Sequence, residues 1–226
     1  MATHLDLEEQ EQLDQLKAFW KQYGNLLTWV LIALLGAYAA WNGWNWWQRD
    51  QAIKAGSMYD ELDAAAQAGD ADRAGRVFAD MKSRYPHTAF TEQGGLLAAK
   101  VLVEKNQVDA ARATLAWVGD NATEDEYRSI ARLRLAGLLL DAKKYDEALK
   151  QLGGVAGKDF VALVEDRRGD ILLAQGKRDE AKAAFMKAWS AMDPKLEYRR
   201  LIEAKLNVLG ADPQAGNAAK PAEATK

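Results

Sequence analysis

The sequence predicts an all-α protein: one N-terminal transmembrane helix, then an α-solenoid of about four helical hairpins closed by a capping helix. Three observations lead there. From Gln22 to Gln48 a run of 27 residues carries no charge. After Arg49 the chain is alanine-rich, with apolar residues spaced by three and four and short breaks between helical runs. Four alanines, Ala74, Ala111, Ala148 and Ala181, lie 37, 37 and 33 residues apart, the signature of a repeated unit.

Whole-chain averages hide this division. With 226 residues, 49% apolar, a mean hydropathy of −0.36 and a net charge of −3, the chain reads as ordinary globular protein. Those values exclude a collagen-like, a mostly disordered or a polytopic membrane chain. The absence of cysteine excludes a disulfide scaffold and a zinc–thiolate site. Tryptophan does not fit the averages, because six of eight (Trp20, Trp29, Trp41, Trp44, Trp46, Trp47) fall together.

Residues 1–24 form the leader. Asp6, Glu8, Glu9, Glu11 and Asp14 precede Lys17 and Lys21, the order a helix macrodipole favours. Leu5, Leu13, Leu16, Phe19 and Trp20 supply an apolar side, so a short amphipathic helix is expected. Gly24-Asn25 is expected to end it, glycine serving as the C-cap.

Residues 25–48 form the span. Leu26 to Trp47 is 22 residues, about 33 Å of helix, enough for a hydrocarbon core of about 30 Å. Leucines, Val30 and Ile32 point to all sides, unlike a surface-lying amphipathic helix. Trp20 and Tyr23 at one end and the other tryptophans at the opposite end suit the headgroup level. Ala37-Tyr38-Ala39 has the small-x-small form of a cleavage site. However, the long acidic leader is unlike a basic n-region, so an uncleaved signal anchor is expected. Lys17 and Lys21 balance Arg49 and Lys54, so charge gives no orientation; a short leader before a large C-terminal domain favours a cytoplasmic N-terminus. Ala33, Gly36, Ala40 and Gly43 share one side and are candidates for a transmembrane packing face.

Residues 49–209 form the hairpin array. The breaks are Gly69-Asp70, Asn106-Gln107, Lys143-Lys144 and Gly176-Lys177. The clearest unit has Gly169, Leu172, Gly176, Ala181, Phe185 and Ala188, with Pro194 after it. These are the small–large–small positions of the tetratricopeptide repeat: Gly169 and Ala181 let two helices approach, while Leu172 and Phe185 fill the space beside them. Leu135, Ala136, Leu139, Tyr145, Ala148 and Leu152 repeat the pattern, as do Leu62, Ala65, Gly69, Ala74, Phe78 and Pro86. The second unit (Ala98, Ala99, Leu102, Val108, Ala111, Leu115) departs most, with Gly94-Gly95 opening its helix. Lys195 to Leu209 is the expected cap over the last apolar face. Residues 210–226, rich in alanine, proline, lysine and glutamate, are expected to be disordered.

No catalytic constellation accompanies this scaffold. His4 and His87 are far apart, and no metalloprotease, nucleophile-elbow, dinucleotide or P-loop motif occurs. Arg168-Gly169-Asp170 lies inside an expected helix with its glycine at a packing position. The expectation is a protein without enzymatic activity, cofactor or metal. The leader carries the whole net charge of −3, leaving residues beyond it balanced, without the basic stripe that nucleic acid requires. A binding module remains. In hairpin arrays the first helix of each hairpin lines the groove. By register the candidates are Gln93, Leu96, Lys100, Val103, Leu133, Gly137, Leu140, Asp166 and Asp170, a mixture suited to an extended or partly unfolded segment. Each leucine can equally be read as inter-hairpin core.

The chain resembles the YfgM family, an ancillary subunit of the SecYEG translocon. The resemblance rests on Lys17-Ala18-Phe19-Trp20 with Gly24 before the span and the tryptophan cluster after it. It continues through Leu133-Arg134-Leu135-Ala136, Lys144-Tyr145-Asp146-Glu147-Ala148-Leu149, Asp166-Arg167-Arg168-Gly169-Asp170 and Lys205-Leu206-Asn207. It implies a bacterial inner-membrane protein anchored once, with a cytoplasmic N-terminus and the repeats in the periplasm. Implied partners are SecYEG and the periplasmic prolyl isomerase PpiD, with exported unfolded proteins handed on to periplasmic chaperones. The alternative is an envelope interaction protein coordinating cell-wall growth or division independently of secretion.

Overall fold

The computed structural model describes residues 7–213, and these divide into two compact units between Gln51 and Ala52. Among them the regular structure is helical throughout: nine α-helices and one 3-10 turn, with no strand.

The first unit is a single helix. Helix α1 runs unbroken from Leu7 to Gln67 and is the one described helix long and apolar enough to cross a membrane. Along the span its apolar side chains stand exposed on every side, from Trp29 and Leu34 to Trp46. That is the state expected of a helix whose solvent is hydrocarbon and whose backbone bonds are all internal. Ring pairs stand at its two ends, Phe19 with Tyr23 (centroids 5.1 Å apart) and Trp44 with Trp47 (5.2 Å).

One expected helix end is absent. The helix does not stop at Gly24-Asn25, and it also runs on past residue 48, close to where the two units divide. Gly24 keeps a helical backbone instead of turning left-handed. The Trp20 indole lies over it, 3.2 Å from where a Cβ would stand, and the Thr28 hydroxyl donates to its carbonyl at 2.8 Å. A glycine caps a helix only when the chain must turn there, and nothing here requires a turn. Past the tryptophans no breaker follows, so the helix continues to Gln67.

In the second unit residues 52–67 of α1 pair with α2 (Ala71–Arg84). Helix α3 (Ala89–Glu104) pairs with α4 (Val108–Asn121), and α5 (Asp125–Asp141) with α6 (Tyr145–Gly153). Helix α7 (Val161–Ala174) pairs with α8 (Arg178–Ala191), and α9 (Tyr198–Val208) closes the array. The four expected hairpins and the cap are therefore present. All four register alanines are fully buried.

The turns within the hairpins share one construction. Gly69, Asn106, Lys143 and Gly176 each adopt a left-handed backbone (φ 66°, 60°, 59° and 81°). The next N–H then bonds back into the helix: Asp70 to the carbonyl of Ala65, Gln107 to Leu102, Lys144 to Leu139 and Lys177 to Leu172, at 2.8–2.9 Å. This bond satisfies a carbonyl that the helix end leaves open. The same bond, Ala211 to Leu206 at 3.0 Å beyond Gly210, ends α9.

Three expectations are corrected here. Gly94-Gly95 does not open α3, which begins at Ala89. Both glycines are buried where α3 crosses its neighbours: a Cβ on Gly95 would collide with Val118 and Phe78, and one on Gly94 would press on Met81. The cap is shorter than Lys195 to Leu209, because Pro194 and the turn after it delay the helix to Tyr198. Ala211 joins the core beside Ile202 and Leu206 instead of beginning a disordered tail. Residues 214–226, and His4 and Leu5 of the leader, lie outside the described residues.

Candidate functional site

Two surfaces carry the candidate residues. On α1, Ala33, Gly36, Ala40 and Gly43 share one side at helical spacing. Nothing lies within 4 Å of where a Cβ would stand on Gly36 or Gly43.

The second surface is the row of first helices in the hairpins: the end of α1, then α3, α5 and α7. Lys100 stands out from it, 3.8 Å from Glu104 on its own helix, and Val103 is exposed beside it. Gln93 is half-buried and donates to the hydroxyl of Tyr127 on α5. Leu133 and Leu140 are half-buried against the core, so each is part packing and part surface. Gly137 is half-exposed, with the Arg167 guanidinium carbon 3.6 Å from where a Cβ would stand.

Two candidates are buried, and a third is half-buried and engaged within the fold. Leu96 is buried in the main core under the Gly94-Gly95 crossing. Asp166 is 2% exposed, and both its oxygens are occupied by α9. Lys205 donates to Oδ1 at 2.8 Å and Oδ2 at 3.0 Å, and the Tyr198 hydroxyl donates to Oδ2 at 2.7 Å. Asp170 lies 2.8 Å from the same ammonium and 3.8 Å from Arg167. Repeat register places these carboxylates on the groove side of α7 but is blind to the helix that follows, whose lysine takes them. Burial pushes the Tyr198 hydroxyl well above the usual tyrosine range, and its bond to the Asp166 carboxylate adds to the shift. Burial also raises the Asp170 carboxyl, against the pull of Lys205.

The structure adds residues that the register count passed over. At the α1 end, Tyr59 lies 5.9 Å from Phe90 between ring centroids, and burial, then the Asp63 charge, raises its hydroxyl. Arg134 on α5 reaches back to donate to the Leu96 carbonyl on α3 at 3.2 Å. Arg167 on α7 reaches back over Gly137 on α5. The signal for both arginines was present: they are 33 residues apart, one repeat, immediately after candidate positions 133 and 166. The face is therefore aromatic and acidic at α1 and basic at α5 and α7. Among the described residues no group of three or more His, Asp or Glu is placed to hold a metal ion.

A family model described as a tetratricopeptide repeat-like domain matches residues 17–211. Three relatives, each named an ancillary SecYEG translocon subunit, align over nearly their whole lengths. The one from Neisseria gonorrhoeae is 31% identical over 212 residues, which is 92% of this chain and 100% of its own. Those from Escherichia coli and Haemophilus influenzae are each 29% identical, covering 89% and 90% of this chain and 96% and 98% of theirs. The chain belongs to the ancillary SecYEG translocon subunit family. In this family member the matched stretch begins at Lys17, ahead of the span, and ends at Ala211, whose N–H closes α9. Anchor, hairpins and cap all fall inside it, and the long apolar helix fits a single-pass membrane anchor. No solved structure matches the chain.

Proposed function

We propose that the protein is a membrane-tethered, non-enzymatic adaptor at the SecYEG translocon. Its array stands in the periplasm and passes exported, still unfolded proteins toward periplasmic chaperones, with the prolyl isomerase PpiD as a further partner. One observation carries this reading: relatives named as translocon subunits align with both the anchor and the array, over 96–100% of their own lengths. An array of stacked hairpins supports it, since such arrays offer a long surface for chain segments rather than an enclosed catalytic pocket. The small-residue side of α1 at Ala33, Gly36, Ala40 and Gly43 suits close approach of a second transmembrane helix, because no side chain holds the backbones apart.

The test is site-specific photo-crosslinking in intact membranes, with the probe at Ala33, Gly36 or Ala40. Adducts with translocon subunits or the isomerase are the expected outcome; adducts with lipid alone would overturn the proposal. Orientation is checked separately. The chain has no cysteine, so one introduced at Lys150 should react with a membrane-impermeant maleimide in spheroplasts, and protection until lysis would reverse the topology.

A further inference from the structure

One position of the repeat changes charge along the array. Fourteen residues before the register alanines Ala74, Ala111, Ala148 and Ala181 stand Asp60, Leu97, Arg134 and Arg167; one 33-residue step further, on the capping helix, stands Arg200. Asp60, Arg134 and Arg200 are exposed, and Leu97 is half-buried. The signs are reinforced nearby. Asp63 lies one turn after Asp60, and Lys100 one turn after Leu97. Toward the other end Lys205 holds Asp166 and Asp170 at 2.8 Å, so Asp170, also 3.8 Å from Arg167, offsets that arginine only in part and leaves Arg134 without an acid from α7. Arg134 and Arg167 are aimed along the row, each reaching back onto the preceding first helix.

From this order we infer that the face selects extended protein segments by charge order: a basic residue at the α1 end, an apolar residue next, then acidic residues toward α9. Helices pack about 8–10 Å apart, and an extended segment in the polyproline II form advances about 3.1 Å per residue with three residues per turn, so every third side chain faces the array. Three residues of bound segment therefore match one step of the array. The complementary pattern is Lys-x-x-Leu-x-x-Glu-x-x-Glu-x-x-Glu, with lysine opposite Asp60 and Asp63, leucine opposite Leu97, and glutamates opposite Arg134, Arg167 and Arg200. Attraction at both ends fixes the register of the segment, while like charges penalise the opposite charge order. The electrostatics fixes the order of charges along the face but not the direction of the bound backbone.

The inference rests on the first-helix face being the partner surface in the proposed function, and its test separates the two. Full-length protein in detergent micelles is titrated with the fluorescent 13-residue peptide, its sequence-reversed form, and a same-composition peptide whose single lysine sits between glutamates, the alternating form. Expected is at least one charge-segregated peptide binding about tenfold more tightly than the alternating one. That preference should be lost in the R134E/R167E variant, where tight binding should return when the two peptide glutamates opposite positions 134 and 167 become lysines. A photo-probe on the peptide's lysine end should label the α1 end of the array. Equal binding of segregated and alternating peptides at this face would overturn charge selection while leaving the adaptor reading intact. Peptide adducts confined to other surfaces would overturn both the face and the inference, leaving the crosslinks from Gly36 to judge translocon association alone. Phosphatidylglycerol vesicles binding through Arg134 and Arg167 with no peptide binding would assign the arginines to a lipid surface and overturn the proposal.

Discussion

Lys205 on the closing helix donates to both carboxylate oxygens of Asp166 on α7, at 2.8 and 3.0 Å, and the Asp166 side chain is almost sealed from solvent. A carboxylate in that position is tolerable only because an ammonium and the Tyr198 hydroxyl take its lone pairs. Replacing the lysine by methionine keeps the stem and removes the charge, leaving the carboxylate short of its cation. Breaking a buried pair from one side costs about 3 kcal/mol. For a chain of this size Lys205→Met should lower the melting temperature by about 6–12 °C, followed by circular dichroism of the full chain in detergent. A fall under about 2 °C would mean that α9 is held by its apolar side alone, through Ile202 and Leu206.

Two helical glycines should respond to the same substitution with opposite signs. A Cβ on Gly169 would stand 2.5 Å from the Phe185 ring, which is itself fully buried and cannot step aside. Gly75 on α2 has nothing within 4 Å. Alanine favours a helix over glycine by about 0.8–1.0 kcal/mol, so Gly75→Ala should stabilise by up to that amount. Gly169→Ala should instead destabilise, since overpacking costs about 1–3 kcal/mol. Denaturant midpoints measured side by side decide it, and a stabilised Gly169→Ala would show that α7 and α8 can move apart freely.

The difference between these glycines also shows what was legible in the sequence. Gly169 was readable because a close helix crossing demands a small residue at a fixed distance from Ala181 and Phe185. The left-handed turns were readable for a related reason: each sits where the apolar spacing stops. Gly24 misled because glycine signals a turn only if the chain has somewhere to turn, and the Trp20 ring across its face has no sequence signature. Asp166 and Asp170 misled because register gives the side of a helix and not its neighbour. Lys205 is 39 residues beyond Asp166 and belongs to no repeat position. Arg134 and Arg167 went unread because balanced net charge conceals local segregation: acids near α1 and arginines further along sum to almost nothing.

Glu92 is a second buried carboxylate, and its role is local. It lies on α3, is 1% exposed, and accepts from the backbone N–H of Thr123 at 2.7 Å and of Glu124 at 3.4 Å, where α5 begins. Glu124 occupies the N-cap position but its own side chain makes no capping bond, so α5 takes its anionic cap from the preceding hairpin. Glu92→Ala should cost about 2 kcal/mol, since buried donors are left unpaired. Amide exchange at Thr123 and Glu124 should accelerate well beyond that of mid-helix Leu135. Unchanged exchange there would mean that water replaces the carboxylate without loss.

Asp170 should make stability depend on pH in the less common direction. Lys205 lies 2.8 Å away, and its hydrogen bond and charge, with Arg167, favour the carboxylate; burial, aided by the Asp166 charge, outweighs them and raises the carboxyl above its ordinary value. A group whose pKa is higher folded than unfolded takes up protons on folding. Its contribution to stability is then fully present below the unfolded value, about pH 3.9, and is lost as pH rises through the folded one. Asp170→Asn holds the neutral form at every pH. Its stability relative to the parent should therefore improve as pH is raised from about 4, until the parent carboxyl is fully ionised. Thermal melts of both proteins in detergent across pH 4–8 test the sign. If Asp170→Asn instead falls behind as pH rises, the Lys205 ion pair outweighs burial, and the ionised pair is what fastens α9 to α7.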